Sequence, residues 1–400
     1  MKIIFFVILL DLIGFGIMVP LLPYFALNLG GGPEIATLCV ALYAVGMIIS
    51  TPILGRISDF YGRRPILMFS MAGSVLGYLF LSFADTILMV AAARLISGFM
   101  AGNIATAQAY ITDITSEENR AKGMGIIGAA FGLGFIIGPF LGSVLAGNDF
   151  QTANLWLAAM TSAGLSGLGF LAVVFMLPES LSPKHRAELK AKKRVNQFEA
   201  FRRISVRPVI MALLIAILMY NVAAGMAESI LPIWSEAIGI AKGPSDLMPL
   251  LLAAGITLSV VQGGLVGPLS KKLGEKKLVL VGLSIFCSGL MFMGIGGINA
   301  SFWGVLAALS WQSAGAGLVI PSLQSLVSKR AGPTERGMVM GLYSTSGMLG
   351  RVLGTVATGI VFANIHIQSP YFGASLIVFA LILITISLQK KLDQKPHIEA

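Results

Sequence analysis

Charge is scarce in this sequence. Asp, Glu, Lys and Arg together make up 12% of its 400 residues, against 56% hydrophobic residues. An ordinary soluble domain carries about 25% charged residues, so these few cannot coat a soluble globule of this length. They can cap the ends of helices whose sides face lipid. Histidine and cysteine are scarcer still, with three and two residues. His185, His366 and His397 are far apart in the chain, and Cys39 and Cys287 both fall in apolar runs. That composition excludes a disulfide framework and a cysteine–histidine metal site, and leaves both thiols as small buried hydrophobes. No nucleotide-binding loop, metal-binding helix or nucleophile constellation occurs. "GLGFIIG", from Gly132, lacks the dinucleotide spacing and follows no strand. The expectation is a non-enzyme with no cofactor.

What the sequence does hold is a series of long apolar runs, with a mean hydropathy of +0.86. A hydrocarbon core takes roughly 20 helical residues at about 1.5 Å each, and the runs reach that length. They are continuous, not alternating as in an outer-membrane barrel. The fold class read from this is an all-α polytopic membrane protein of twelve transmembrane helices in two pseudo-symmetric six-helix bundles. The spans are placed at 2–29, 36–55, 66–84, 87–112, 121–147 and 154–177, then 208–238, 247–270, 277–297, 300–328, 337–363 and 367–389. Met1-Lys2 and the following apolar residues resemble a secretory signal, but no small-x-small site follows, so an uncleaved first span is expected. Residues 1–177 would form the first bundle, 178–207 a cytoplasmic linker, and 208–400 the second bundle with a short tail. Part of the linker reads either as an amphipathic helix lying on anionic lipid or as a solvated charged loop.

Orientation follows from the basic residues. Of the 28 Lys and Arg, only Arg94 and Arg351 fall deep inside spans, away from their ends, and only Lys242 lies in a loop on the opposite side. The rest cluster at Lys2, in the even-to-odd loops and in the tail, which places both termini in the cytoplasm. The net charge of +10 is thereby explained by topology, without a nucleic-acid partner. The halves also echo each other. "GRISDFYGRR", from Gly55, returns as "GPLSKKLGEKK", from Gly267, and Pro20, Arg120 and Gly138 have counterparts in Pro232, Arg336 and Gly354. Internal repeats of this kind are a transporter feature.

Within the spans, the rare polar residues are the candidate site. Asp11 lies roughly 14 Å along the helix axis from Lys2, near mid-bilayer, in "LLDLIGFGIMVPLLP". A carboxyl at that depth is costly. It serves either as a proton-coupling or substrate-contacting group, or as a structural acid bonded to backbone freed near Pro20 and Pro23. Glu228 is the second deep acid, with Asn221 seven residues earlier on the same face; it is the alternative proton carrier, a partner to Asp11 across the halves, or a group bonded locally within the second half. Arg94 cannot release its proton and needs a permanent partner or water. Asn103, Thr106 and Tyr110 continue as a polar strip expected along a cavity. Arg351 has no acid within a turn of its own helix, and calls for either an anionic group on a substrate or an interhelical salt bridge. Gly134, Gly138 and Gly142 recur at i+4 and make one smooth helix face, where Pro139 permits a bend.

"GRISDFYGRRP" resembles the loop between spans 2 and 3 of the major facilitator superfamily. "ARLISGFMAG" is similar to its Arg-containing span 4 motif, "GAAFGLGFIIGPFLGS" to its span 5 antiporter motif, and "DLIGFGIMVPLLP" to the start of span 1 in tetracycline/proton antiporters. The chain thus resembles the twelve-span drug:H+ antiporter family along essentially its whole length. The resemblance implies that Asp59, Arg63 and Asp113 form a cytoplasmic charge latch between spans 2, 4 and 11, with Gly55, Gly62 and Arg64 completing the motif and Arg120 an added member. It places Arg94 near the proton route. It departs at Ser143, which stands for the last motif glycine. Leu258 and Cys287 stand where tetracycline pumps carry a span 8 histidine and a span 9 aspartate. The function expected is proton-coupled efflux of a small organic solute or drug by alternating access, from the inner (plasma) membrane, by a monomer whose partners are substrate, protons and lipid. Import of a metabolite on the same fold is the alternative, and a non-transporting receptor the alternative of another class.

Overall fold

The computed structural model describes residues 1–116, 120–182, 186, 202, 204, 207–331 and 335–392. Among these residues every regular element is a helix. Most of the linker expected at 178–207, with His185, lies outside the described residues, as does His397.

In order, the helices are α1 (Lys2–Met18), α2 (Leu22–Leu27), α3 (Pro33–Tyr61), α4 (Arg63–Ser82), α5 (Ile87–Met100), α6 (Asn103–Ile114), α7 (Arg120–Ala146) and α8 (Leu155–Met176). Then follow α9 (Pro208–Ala237), α10 (Pro244–Val260), a π turn (Val261–Leu265), α11 (Val266–Leu273), α12 (Glu275–Ile298), α13 (Phe302–Arg330), α14 (Arg336–Asn364) and α15 (Ser369–Leu392). Eleven helical stretches among the described residues are long and apolar enough to cross a membrane. With α1 as the remaining span they make the expected twelve.

Local chemistry sets the ends. Thr86, Asn154 and Ser301 cap α5, α8 and α13, their side chains accepting from Met89, Leu157 and Gly304 backbone N–H groups at 3.3, 2.9 and 3.2 Å. Gly62 and Gly274, with φ of +109° and +76°, turn the chain into α4 and α12. Only glycine adopts such angles without strain.

Three spans differ from the continuous helices expected. Span 1 stops at Met18 and resumes as α2, because Pro20 and Pro23 remove two backbone donors within four residues. Single prolines (Pro52, Pro139, Pro232 and Pro321) sit inside unbroken helices. Span 4 breaks at Ala101–Gly102 into α5 and α6, and span 8 is interrupted by its π turn, which holds Gly263 and Gly264. Glycines and π turns are where helical ladders give way.

The chain divides into two compact units: Met1–Lys193 with Ala241–Leu252, and Arg194–Ile240 with Ala253–Ala400. In the first, α1 packs on α7 and α8, α4 on α5 and α8, and α3 on α5. In the second, α9 packs on α14 and α15, and α12 on α13 and α15. Spans 1, 3, 4, 5 and 6 pair as spans 7, 9, 10, 11 and 12 do, while the packing of α3 on α5 is answered in the second unit only by the π turn and α11 against α13. Ile4, Val7, Leu67, Met71, Tyr110, Ile111, Val173 and Leu177 form a core of the first unit. Large apolar side chains such as Leu76, Phe175, Trp303 and Leu376 stand exposed, as helices facing hydrocarbon require.

Candidate functional site

The candidate residues gather in three places, two in the first unit and one in the second.

Asp11 projects from α1 toward α6, where Asn103 Nδ2 donates to its Oδ2 at 3.4 Å. Asn103 opens α6 directly after the Ala101–Gly102 break, so the break aims the amide at the carboxylate. Arg94, on α5, is 2% exposed and lies with its guanidinium carbon 4.5 Å from the Tyr43 ring centre, a cation–π contact. Its Nε and Nη1 have no hydrogen-bond partner among the described residues. Tyr43 and Tyr78 stand within electrostatic reach of both Asp11 and Arg94. Phe15 packs against Tyr43 in a tilted pair, with ring centres 4.7 Å apart and planes at 31°. The polar strip expected beyond Asn103 does not line an opening. Thr106 is fully buried, and Tyr110 is buried in the core with its hydroxyl donating to the Pro178 carbonyl at 3.0 Å. Tyr110 belongs to the core of the first unit.

α1 can come close to this site because of the span 5 glycines. A Cβ on Gly138 would meet Gly16 Cα at 2.6 Å and the Ile13 carbonyl at 2.8 Å, and one on Gly134 would meet Leu12 Cβ at 2.6 Å. Gly142 abuts the Ile17 carbonyl, and Pro139 lies against Gly16. The helix continues through Pro139.

The second cluster surrounds the motif loop. Arg63 Nη1 binds Asp59 Oδ1 at 2.6 Å, and Arg63 Nε binds Asp113 Oδ2 at 3.0 Å. Ser58 Oγ accepts from the same Nη1 at 2.7 Å. The Arg63 and Asp59 side chains are 6% and 7% exposed. One guanidinium thus ties the end of α3, the start of α4 and the end of α6. Arg64 takes a different course and donates to the Val174 carbonyl at 2.6 Å. Gly55 faces Ala105. Arg120 begins α7, but its side chain lies outside the described residues.

Two members of this cluster escaped the sequence reading. Glu179, just past α8, accepts from the backbone N–H groups of Arg63 and Arg64 at 2.9 and 3.2 Å. Its carboxylate thereby sits on the N-terminus of α4, the favourable end of the helix dipole. Ser180 Oγ donates to Asp113 Oδ2 at 3.0 Å. A Cβ on Gly62 would collide with Glu179 Oε2, so that glycine serves the clasp as well as the turn. The one sequence signal was an acid two residues past the end of span 6.

In the second unit, Arg351 Nη1 binds Glu228 Oε2 at 2.7 Å, joining α14 to α9. Of the two partners open to Arg351, the structure provides the interhelical carboxylate. Asn221 donates to the Ile217 carbonyl at 2.9 Å and lies against Gly347 and Gly350, so it and Glu228 share the face of α9 that meets α14. Gly354 abuts the Val222 carbonyl, and Gly350 the Leu218 carbonyl. This seam repeats the glycine seam of α7 on α1. Leu258 lies in α10, and buried Cys287 donates weakly to the Ser375 carbonyl at 3.3 Å. His366 lies between α14 and α15. No group of three or more His, Cys, Asp or Glu able to hold a metal occurs among the described residues.

Twelve apolar spans, two like-packed units and charged residues within spans 1, 2, 4, 7 and 11 describe a membrane transporter. The profile of the Major Facilitator Superfamily matches residues 4–355 and 250–398, and the chain belongs to that superfamily. It is a multi-pass transporter of that class, whose members carry small-molecule substrates and are not enzymes. It is 29% identical over 364 residues to the class E tetracycline resistance protein of Escherichia coli, covering 89% of this chain and 86% of that one. It is 28% identical over 390 residues to multidrug resistance protein 2 of Bacillus subtilis (strain 168), covering 95% and 93%. The fold is similar to that of the human organic anion transporter MFSD10, with a TM-score of 0.70 at 22% identity over 96% of this chain and 98% of that one. It is likewise similar to the nucleoside transporter NupG, with a TM-score of 0.79 at 12% identity over 96% and 99%.

Proposed function

We propose that this protein is a proton-coupled antiporter that exports a small organic solute or drug by alternating access. In this reading it works as a monomer in the inner (plasma) membrane, with both termini and a linker at 178–207 in the cytoplasm between bundles 1–177 and 208–400. The observation that carries the reading is Asp11, a carboxyl midway along an apolar span whose only described hydrogen bond is a long one to Asn103. A weakly held carboxyl inside a bundle can bind and release a proton as water reaches it from one side or the other. Tetracycline and multidrug resistance proteins among the relatives support export over import, and the Met and Phe content (19 and 23 residues) suits an adaptable apolar pocket.

Cytoplasmic gating is assigned to Asp59, Arg63 and Asp113, with Glu179 and Ser180 as positioning residues. The test uses inverted membrane vesicles with an acidic lumen. Tetracycline and a panel of lipophilic drugs are the solutes. Wild type accumulates at least one of them and the Asp11→Asn protein, equally abundant in the membrane, accumulates none. Full accumulation by Asp11→Asn removes that residue from coupling, and accumulation that ignores the pH gradient overturns antiport.

A further inference from the structure

We infer that Arg351 is a docking point for an anionic group, a carboxylate or a comparable oxyanion, carried by the transported solute, and that Glu228 is the internal carboxylate this group displaces. The inference rests on the transport reading above and adds a substrate class to it.

The placement is unusual for an ion pair. Arg351 lies near the middle of the 29-residue α14, and Glu228 lies well inside the 30-residue α9. Along α9 every residue from Ala223 to Ser235 is buried except Glu228. Yet the paired side chains are 45% and 53% exposed. A guanidinium and a carboxylate this far inside apolar spans are too costly to face hydrocarbon. The exposed face of the pair is therefore a wet one, open to a solute.

The pair is also incompletely satisfied. A guanidinium presents five N–H donors in a planar fork and binds a carboxylate best through two of them. Here a single bond is made, from Nη1 to Glu228 Oε2. Arg63 shows the contrast, with Asp59, Asp113 and Ser58 all on one buried fork.

The backbone holds Arg351 in this pose. A Cβ on Gly225 would meet the Arg351 carbonyl at 2.7 Å, and Gly350 and Gly354 press against Leu218 and Val222. With the main chain seated in that seam, the side chain must leave along the open face.

Neutral groups surround it. Tyr220 is within electrostatic reach of Glu228, Arg351 and Tyr343. The Tyr343 hydroxyl is buried without a partner among the described residues. On α15 the Tyr371 hydroxyl is occupied by the Ala227 carbonyl. The described part of α15 to Ser387 carries no charged residue, and on α13 the only charges, Lys329 and Arg330, lie in its last turn. Glu228 is thus the one described acid competing for Arg351. An entering oxyanion takes the fork and displaces the Glu228 carboxylate from it.

The experiment measures equilibrium binding to the purified full chain in detergent, with 2-naphthoate and its uncharged counterpart 2-naphthamide as probes. Glu228→Gln leaves Arg351 without its competitor, and naphthoate affinity rises by about tenfold or more, the scale of one charge-assisted hydrogen bond. Naphthamide affinity changes little. Arg351→Gln in the Glu228→Gln background, which avoids a buried unpaired acid, abolishes the preference for naphthoate. Equal affinities for the two probes in wild type and in Glu228→Gln would overturn the inference. So would a failure of naphthoate to bind. Because Asp11→Asn transport of neutral solutes in vesicles does not depend on these outcomes, a failed anion site leaves the antiport reading to its own test.

Discussion

Arg63 and Arg207 each form an ion pair at 2.6 Å, with Asp59 and with Glu335, yet the two should differ widely in worth. Arg63 is 6% exposed and sits between two acids, whereas Arg207 is 46% exposed. Removing one partner of a buried pair costs about 3–5 kcal/mol, because a charge is left desolvated. Exposed pairs contribute about 0–1 kcal/mol. Asp113→Asn should accordingly lower the thermal midpoint in detergent clearly, and Glu335→Gln should leave it within error. Melting curves of the two purified variants, compared with wild type, check this. Equal losses would mean that solvent reaches the motif cluster.

Helices meet in this protein where glycines let them. Gly138 on α7 and Gly354 on α14 occupy matching places in the two repeats, and each presses on its partner's backbone. A methyl group added at either should force the seam apart, at about 1–3 kcal/mol for overpacking. Gly128 and Gly341 lie on the same two helices with nothing within 4 Å of the added carbon. Alanine there should be neutral or stabilising, by up to about 1 kcal/mol from reduced chain entropy. Thermal melting of the four alanine variants separates the classes. A stable, active Gly138→Ala protein would show that the seam is not tightly packed. The seams also bear on the polar sites: Asp11 and Arg351 sit on helices positioned by these contacts.

Across the whole molecule the repeat conserves geometry and inverts charge. In the first unit Arg63, after Gly62, reaches Asp113 at the end of span 4. In the second, Glu275, after Gly274, reaches Lys329 at the end of span 10 at 2.7 Å. The first link is buried, while Lys329 is 68% exposed, so only the first is strong enough to act as a latch. If it holds one state of the transport cycle, Asp59→Asn should loosen it. A cysteine at Leu54, buried on α3, should then react faster with a membrane-impermeant maleimide applied from the cytoplasmic side. The native thiols, Cys39 and Cys287, are both buried, which favours a clean readout. Unchanged labelling at normal turnover would exclude gating by this link.

By itself the sequence determined the solvent, the number of spans, the repeat and the residues that had to be special. Those follow from composition and spacing: a bilayer fixes span length, and a charge within a span stands out against its neighbours. The sequence could also show that Arg351 lacked an acid on its own helix, but not which helix would supply one. Only tertiary packing decided that, by seating Gly350 and Gly354 on α9 beside Glu228. Packing likewise turned Thr106 and Tyr110 inward, and brought Glu179 back over the start of α4 across more than a hundred residues of chain. Partners so distant in sequence leave no periodicity to read. Their pairing is set by which helix faces lie smooth enough to touch.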